Sequence, residues 1–325
     1  MNVKNIFYDT VKMLPSFENL LLSTPKGIAD TALEIRVRAG KPIVIETVTE
    51  RYICGTRCAE TDEIYACLKH FCNYSIHSCQ RELSEGWITL KGGHRGGFTG
   101  TAVIKDNKLE TIKDISSINL RISREHKGIS DLLFSQTVMK RNLKGLIIAG
   151  APLSGKTTIL RDFCRNLGSF HKTSLIDERG EIAASYKGVP QNDVGMNTDI
   201  FNCFPKEKGI EQAIRVMSPE FVVCDEIGND TKTLLKYAGN GVKPILTVHC
   251  GDISEAVHNE AITNLISSGA INYIAFLENG KAIGNLKGLW CIENGKGIDG
   301  CNNSNNLLRN RNSCIIGNEN AYSPA

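Results

Sequence analysis

Short apolar runs alternate with helically spaced segments through the second half of the chain. GLIIAG (145–150) is followed by TTILRDFCRNLG (157–168), TSLID (173–177), FVVCDE (221–226), TLLKYAGN (233–240) and PILTVHC (244–250). Apolar runs this short and unbroken predict strands covered on both faces, as in a parallel α/β sheet. A late pair, NYIAFL (272–277) and LKGLWCIE (286–293), extends or edges that sheet. Residues 1–128 read differently. KPIVIETV (41–48) and GFTGTAVI (97–104) are short alternating runs, and TDEIYACLKHFCNYSI (61–76) between them has helical spacing. That spacing makes Thr61 the expected N-cap and turns Ile64 inward. The pattern predicts a small α+β domain over 1–128 and an α/β domain over 129–295, joined at the polar SREHKGIS (123–130) with its Gly128. From 296 to 325 the composition turns Asn-rich, which predicts a disordered tail. No internal repeat is visible.

Composition narrows the picture only a little. A net charge of +3 over 325 residues is too near neutral to indicate a nucleic-acid partner. No apolar run approaches the roughly 18 residues of a membrane span, so no membrane insertion is expected. The first residues are interrupted by charges and by Pro15 and do not read as a signal peptide, so the expected location is the cytoplasm. Of the 12 cysteines, Cys54, Cys58, Cys67, Cys72 and Cys79 cluster near His70 and His77. No C-x-x-C pair occurs among them, and they read as free thiols of a reducing compartment rather than zinc ligands.

The chemistry enters with GAPLSGKTT (150–158), which fits the phosphate-loop pattern G-x-x-x-x-G-K-[ST]. Its flanks, an apolar strand before and a helix after, are those the pattern requires. Gly150 and Gly155 permit the tight backbone that aims N–H groups at phosphate oxygens, with Ala151, Pro152, Leu153 and Ser154 between them. Lys156 is placed to reach the β- and γ-phosphates, the Thr157 hydroxyl to bind Mg²⁺, and Thr158 continues the first helical turn, whose dipole favours an anion. Asp225 ends a core strand where a carboxylate holds Mg²⁺, and Glu226 beside it is placed to orient or deprotonate an attacking water. DERG (177–180) matches the D-x-x-G element of GTPases. It follows the loop's own helix too closely, however, and no N-K-x-D segment lies downstream, so ATP is the expected nucleotide. Asp177, Glu178, Arg179 and Glu181 then form either a solvated charge cluster or a second acidic group near the γ-phosphate. Thr247 or His249, at the end of PILTVH, stands where a γ-phosphate sensor would lie.

These segments occur in the order seen in secretion-type ATPases. EIRVRAGKPIVIE (34–46), GWITLKGGHRGGFTGTAVI (86–104) and DISSINLRISREHKG (114–128) further resemble the stage III sporulation AA family of endospore-forming bacteria. The resemblance implies a RecA-like P-loop ATPase domain with a smaller N-terminal α+β domain, assembled as a ring of six. It implies ATP and Mg²⁺ as ligands, with hydrolysis powering a mother-cell-to-forespore channel. It implies membrane-embedded channel components as partners, and a mother-cell location at the membrane through them. Residue by residue, Glu178 and Glu181, with Asp177, look like the acidic box. Asp225 and Glu226 look like the Mg²⁺ carboxylate and the catalytic glutamate, and His249 like the histidine box, although Cys250 stands where a small residue usually follows. Arg95, Arg121 and Arg124 are candidates for arginines that act between subunits. GGHRGG reads as a tight hairpin rather than a second phosphate cradle. The competing classes are a nucleic-acid-stimulated translocase and a nucleotide-gated scaffold.

Overall fold

The computed structural model describes residues 6–139, 143–227, 231–237, 241–279, 284–292 and 296–298. Most of the expected Asn-rich tail, 299–325, lies outside the described residues. The chain divides into two compact units. The first comprises the described residues up to Glu125 together with Ala184–Asn192. The second comprises His126–Ala183 and the described residues from Asp193 onward. The chain thus leaves the second unit for nine residues and returns to it. No described helix is long and apolar enough to cross a membrane.

In the first unit, six strands form an antiparallel sheet: β1 (Ala32–Arg38), β2 (Pro42–Thr47), β3 (Arg51–Cys58), β4 (Trp87–Thr89), β5 (Arg95–Lys105) and β6 (Lys108–Arg121), in the order β3-β2-β1-β6-β5-β4. Alternation decides its faces. Ile35, Val37, Ile43, Ile45, Phe98, Ile118 and Leu120 are buried in one core with Ile64, Cys67, Leu68 and Phe71 of the helix Thr61–Phe71. The cap of that helix sits one residue earlier than the spacing suggests. Glu60 is the N-cap of a capping box in which Glu63 accepts the Glu60 N–H at 3.0 Å, and Thr61 is already helical. GGHRGG closes the β4–β5 hairpin, with Gly92 and Gly93 at φ +84° and +75°. The excursion Ala184–Asn192 holds to this unit through Tyr186, whose hydroxyl donates to Asn73 at 2.9 Å, and through Gln191, which accepts the Gly92 N–H at 2.7 Å.

The second unit is built on β7 (Leu146–Gly150), β8 (Thr173–Asp177), β9 (Thr198–Asn202), β10 (Phe221–Cys224), β11 (Lys243–His249), β12 (Tyr273–Leu277), β13 (Leu286–Cys291) and β14 (Lys296–Ile298). Their order is β14-β13-β12-β7-β11-β10-β8-β9. Strands β9 through β12 of that order are parallel, and β13 and β14 add antiparallel pairs at one edge. Successive residues of β7 enter opposite cores, Leu146 and Ile148 one and Ile147 and Ala149 the other. That is why its sequence is an unbroken apolar run. The helix Lys156–Phe170 packs Leu160, Phe163 and Leu167 on the first of these faces. Two features depart from the sequence reading. Strand β9 edges the sheet unannounced, with Phe201 its one buried side chain, and Lys296–Ile298, expected to open the tail, pairs with β13.

Candidate active site

The parallel strands all end on one edge of the sheet, where α/β folds present their ligand-binding residues. Here β7 delivers the phosphate loop, β8 the acidic segment, β10 the Asp225–Glu226 pair and β11 His249. The order β7-β11-β10-β8 puts β11 between the loop strand and the Asp225 strand. DERG is therefore three strands away from the loop strand.

The loop leaves β7 at Gly150 and turns through Ala151, Pro152 and Leu153, with the Ser154 N–H donating to the Ala151 carbonyl at 3.3 Å. Leu153 and Gly155 both adopt left-handed backbone, φ +64° and +92°. For Gly155 this costs nothing. For Leu153, which is 97% exposed, it stores about 1–2 kcal/mol of strain. A Cβ on Gly150 would stand 2.4 Å from Ser154 Oγ, so the strand end admits only glycine without displacing the loop. Ser154 Oγ is itself buried without a hydrogen-bond partner. The helix begins at Lys156, followed by Thr157 and Thr158 in its first turn.

Lys156 is folded onto its own loop. Its Nζ donates to the carbonyls of Gly150 at 2.9 Å and Ala151 at 2.8 Å, and meets His249 Nδ1 at 3.2 Å. Burial pushes the lysine pKa down, and the charges of Asp225 and Glu226 pull it partly back. An ammonium has only donors, so His249 Nδ1 accepts and the ring proton belongs on Nε2. That nitrogen faces Glu226 Oε1 at 3.4 Å.

Asp225 is held from two sides. Thr157 Oγ1 donates to its Oδ2 at 3.1 Å, and Thr247 Oγ1 donates to its Oδ1 at 2.6 Å. The same Thr247 hydroxyl accepts the Glu226 N–H at 2.7 Å. Thr247, fully buried, thus binds Asp225 and Glu226 together rather than facing outward as a phosphate sensor. Glu226 is left-handed at φ +45°. Its carbonyl accepts Lys206 Nζ, and its Oε2 pairs with Arg179 at 3.0 Å. Lys206 also faces Glu178 at 3.4 Å.

The acidic segment separates into two kinds of carboxylate. Asp177 is buried and accepts the N–H groups of Glu181 at 2.9 Å, Ile182 at 3.1 Å and Ala183 at 2.9 Å. Burial raises its pKa more than these donors lower it. Asp177 therefore shapes the turn and is not presented to a ligand. Glu178 is at the surface beside Lys206, and the backbone carbonyl of Glu181 is held by Arg161 at 2.6 Å.

The three candidate arginines belong to the first unit. Arg95 and Arg121 are cross-strand neighbours on one face of its sheet. The Arg95 guanidinium lies 4.0 Å from the Trp87 ring centroid, and Arg121 pairs with Glu34 at 3.4 Å, a carboxylate shared with Arg36 at 2.6 Å. Arg124 stands apart and donates to the Ala32 carbonyl at 3.1 Å, pinning the start of β1. The five clustered cysteines are free thiols, and among the described residues no group of three or more His, Cys, Asp or Glu side chains could hold a metal ion.

A sequence profile described as sporulation stage III, protein AA, matches residues 11–298. The chain belongs to the stage III sporulation protein AA family. It is 32% identical over 292 residues to stage III sporulation protein AA of Bacillus subtilis (strain 168), covering 87% of this chain and 94% of that one. Two solved structures are similar in fold at 16% identity. The Legionella pneumophila ATPase DotB gives a TM-score of 0.51 over 84% of this chain and 76% of its own. The pilus retraction motor PilT with bound ADP gives 0.53 over 79% and 77%. The family fold is therefore RecA-like, shared with secretion ATPases. Of the site, Lys206 and the bridging role of Thr247 escaped the sequence. Lys206 sits in the polar stretch FPKEKG with nothing to distinguish it, and a lone threonine inside a buried strand carries no pattern.

Proposed function

We propose that the chain is an ATP-hydrolysing motor subunit of the secretion-ATPase kind, acting with the channel of the sporulating mother cell. The single observation that carries the reading is the convergence of Lys156, Asp225, Glu226 and His249 on one edge of the sheet through contacts of 3.4 Å or less. The phosphate loop, with its left-handed Leu153 and Gly155 and the orphaned Ser154 hydroxyl, suits a polyphosphate. PilT, similar in fold, was solved with ADP.

The oxygen donors Thr157 and Asp225, already in contact, suit Mg²⁺, which prefers hydroxyl and carboxylate ligands. When bound it neutralises charge on the phosphates. Lys156 leaves the Gly150 and Ala151 carbonyls to bind phosphate oxygens. Glu226 Oε1 orients a water and takes its proton as the water oxygen bonds to the γ-phosphorus, the bond to the bridging oxygen breaks, and ADP departs with inorganic phosphate as the second product. His249 keeps Glu226 in line with the loop lysine. In a ring of six, Arg95 and Arg121 supply positive charge to a neighbour's nucleotide. Membrane-embedded channel components are the proposed partners, which places the motor at the mother-cell membrane from the cytoplasmic side.

The test is steady-state ATP turnover by the full chain with and without Mg²⁺. Glu226→Gln is expected to bind ATP with little change and to turn it over about 10²- to 10⁴-fold more slowly. Turnover by Glu226→Gln equal to that of the unaltered chain would remove Glu226 from the chemistry.

A further inference from the structure

Arg179 has no assigned part in the site, yet it pairs with the carboxylate of Glu226. Glu226 is gripped at each polar group it owns. Thr247 takes its N–H at 2.7 Å and Lys206 its carbonyl. His249 faces Oε1 at 3.4 Å and Arg179 holds Oε2 at 3.0 Å. The two carboxylate oxygens are therefore not equivalent. Oε1 lies on the side of His249, which leads at 3.2 Å to Lys156 and so to the phosphate loop. Oε2 lies on the side of the acidic segment. A carboxylate terminus turns easily about its last bond, and a guanidinium on one oxygen fixes which of the two faces the loop.

Arg179 is also built to stay where it is. It lies in the turn that leaves β8, before Gly180 at φ +61°, whose N–H donates to the Asp177 carbonyl at 3.3 Å. The buried Asp177 carboxylate locks the three N–H groups that follow. The Arg179 side chain is 63% exposed. An exposed ion pair contributes little to stability, so the pairing with Glu226 has small value as a fold contact.

We propose that Arg179 is the positioning residue of Glu226. Acting from the same chain, it holds Oε2 so that Oε1 is presented to the attacking water. The inference rests on the reading of this site as an ATP-hydrolysing centre.

The test compares the full chain with Arg179→Ala and Arg179→Lys, measuring kcat and KM for ATP, affinity for a fluorescent ADP, and thermal midpoint. Arg179→Ala is expected to lose on the order of 100-fold in kcat, with KM, ADP affinity and midpoint unchanged. Guanidinium ion at millimolar concentration is expected to restore part of that kcat, and Arg179→Lys to recover little because the shorter lysine side chain falls short of Oε2. With an active unaltered chain, an undiminished kcat in Arg179→Ala overturns the assignment and leaves the ATPase reading standing. So does a parallel loss of ADP affinity and thermal midpoint, or a failure of guanidinium rescue. Absence of turnover in the unaltered chain overturns both.

Discussion

At the scale of single residues, the site is held together by a hydroxyl. Thr247 Oγ1 donates to Asp225 at 2.6 Å and accepts from the Glu226 N–H at 2.7 Å, so one buried atom fixes the spacing of the two carboxylate residues. Valine has nearly the shape of threonine but makes neither bond. Thr247→Val leaves the Glu226 N–H and one Asp225 oxygen without that partner, in a strand buried on both faces. The expected cost is about 1–3 kcal/mol of stability, read by denaturant unfolding. On the proposed role of Glu226, turnover is expected to fall by ~10- to 100-fold, since a small displacement of the carboxylate that meets the water is enough. The opposite pattern, full stability with full turnover, would show that Asp225 and Glu226 are positioned without the bridge. The left-handed Glu226 belongs to the same set of constraints. A non-glycine residue keeps such a backbone only where its surroundings over-determine it, and here the N–H, the carbonyl and both carboxylate oxygens are all engaged.

At the scale of elements, legibility followed periodicity. The buried strands β7, β10 and β12 are unbroken apolar runs, β8 and β11 carry apolar centres, and the helix Lys156–Phe170 has a clear stripe, so their sequence announces them. Strand β9 has one buried side chain and reads as loop. The excursion Ala184–Asn192 is invisible for a related reason. It belongs to the first unit through hydrogen bonds of Tyr186 and Gln191, not through an apolar pattern. Asp177 could be read only as part of a charge cluster or of an acidic group near the γ-phosphate. Only the three N–H groups around it reveal its structural task.

The β4–β5 hairpin carries an element-scale prediction. His94 is buried at its base, with Nδ1 accepting the Ser123 N–H at 3.1 Å and Nε2 at 3.1 Å from the Thr10 hydroxyl. The Thr10 hydroxyl already donates to the Ile6 carbonyl at 2.7 Å, so the ring proton sits on Nε2 and the ring is neutral. Burial pushes the His94 pKa from 6.5 down to about 4, opposed weakly by Asp9. Between those values the unfolded chain binds a proton that the folded chain refuses. The stabilising share of His94 is therefore whole above pH 6.5 and is lost as pH falls toward 4, by up to about 3 kcal/mol. Trp87 lies on β4 and Trp290 on β13, so Trp87 fluorescence in a Trp290→Phe background reports the first unit. Its denaturant midpoint should drop steeply between pH 6.5 and 4, and His94→Gln should flatten that segment of the curve.

At the scale of the whole molecule, the proposed ring predicts that a second copy completes the nucleotide site. Glu226 and Arg121 belong to different units, so the two can be inactivated separately. Arg121 suits the experiment better than Arg124, whose guanidinium holds the Ala32 carbonyl and whose loss would loosen β1. It also suits it better than Arg95, which is stacked on Trp87. Arg121 is 63% exposed and paired with Glu34, so removing it disturbs the sheet little. Arg121→Ala and Glu226→Gln should each be nearly inactive alone. In a ring where arginine acts on the neighbour's nucleotide, co-assembled subunits rebuild sites that take Glu226 from one variant and Arg121 from the other. Random mixing in equal amounts then restores roughly a quarter of the sites, as expected for a head-to-tail interface. Were Arg121 to act within its own chain, no mixed ring would contain an intact site and turnover would stay at the level of the separate variants. The measurement is ATP turnover against mixing ratio. A maximum near equal proportions is the signature of arginines acting between subunits, and a flat line at the background rate assigns them to their own chain.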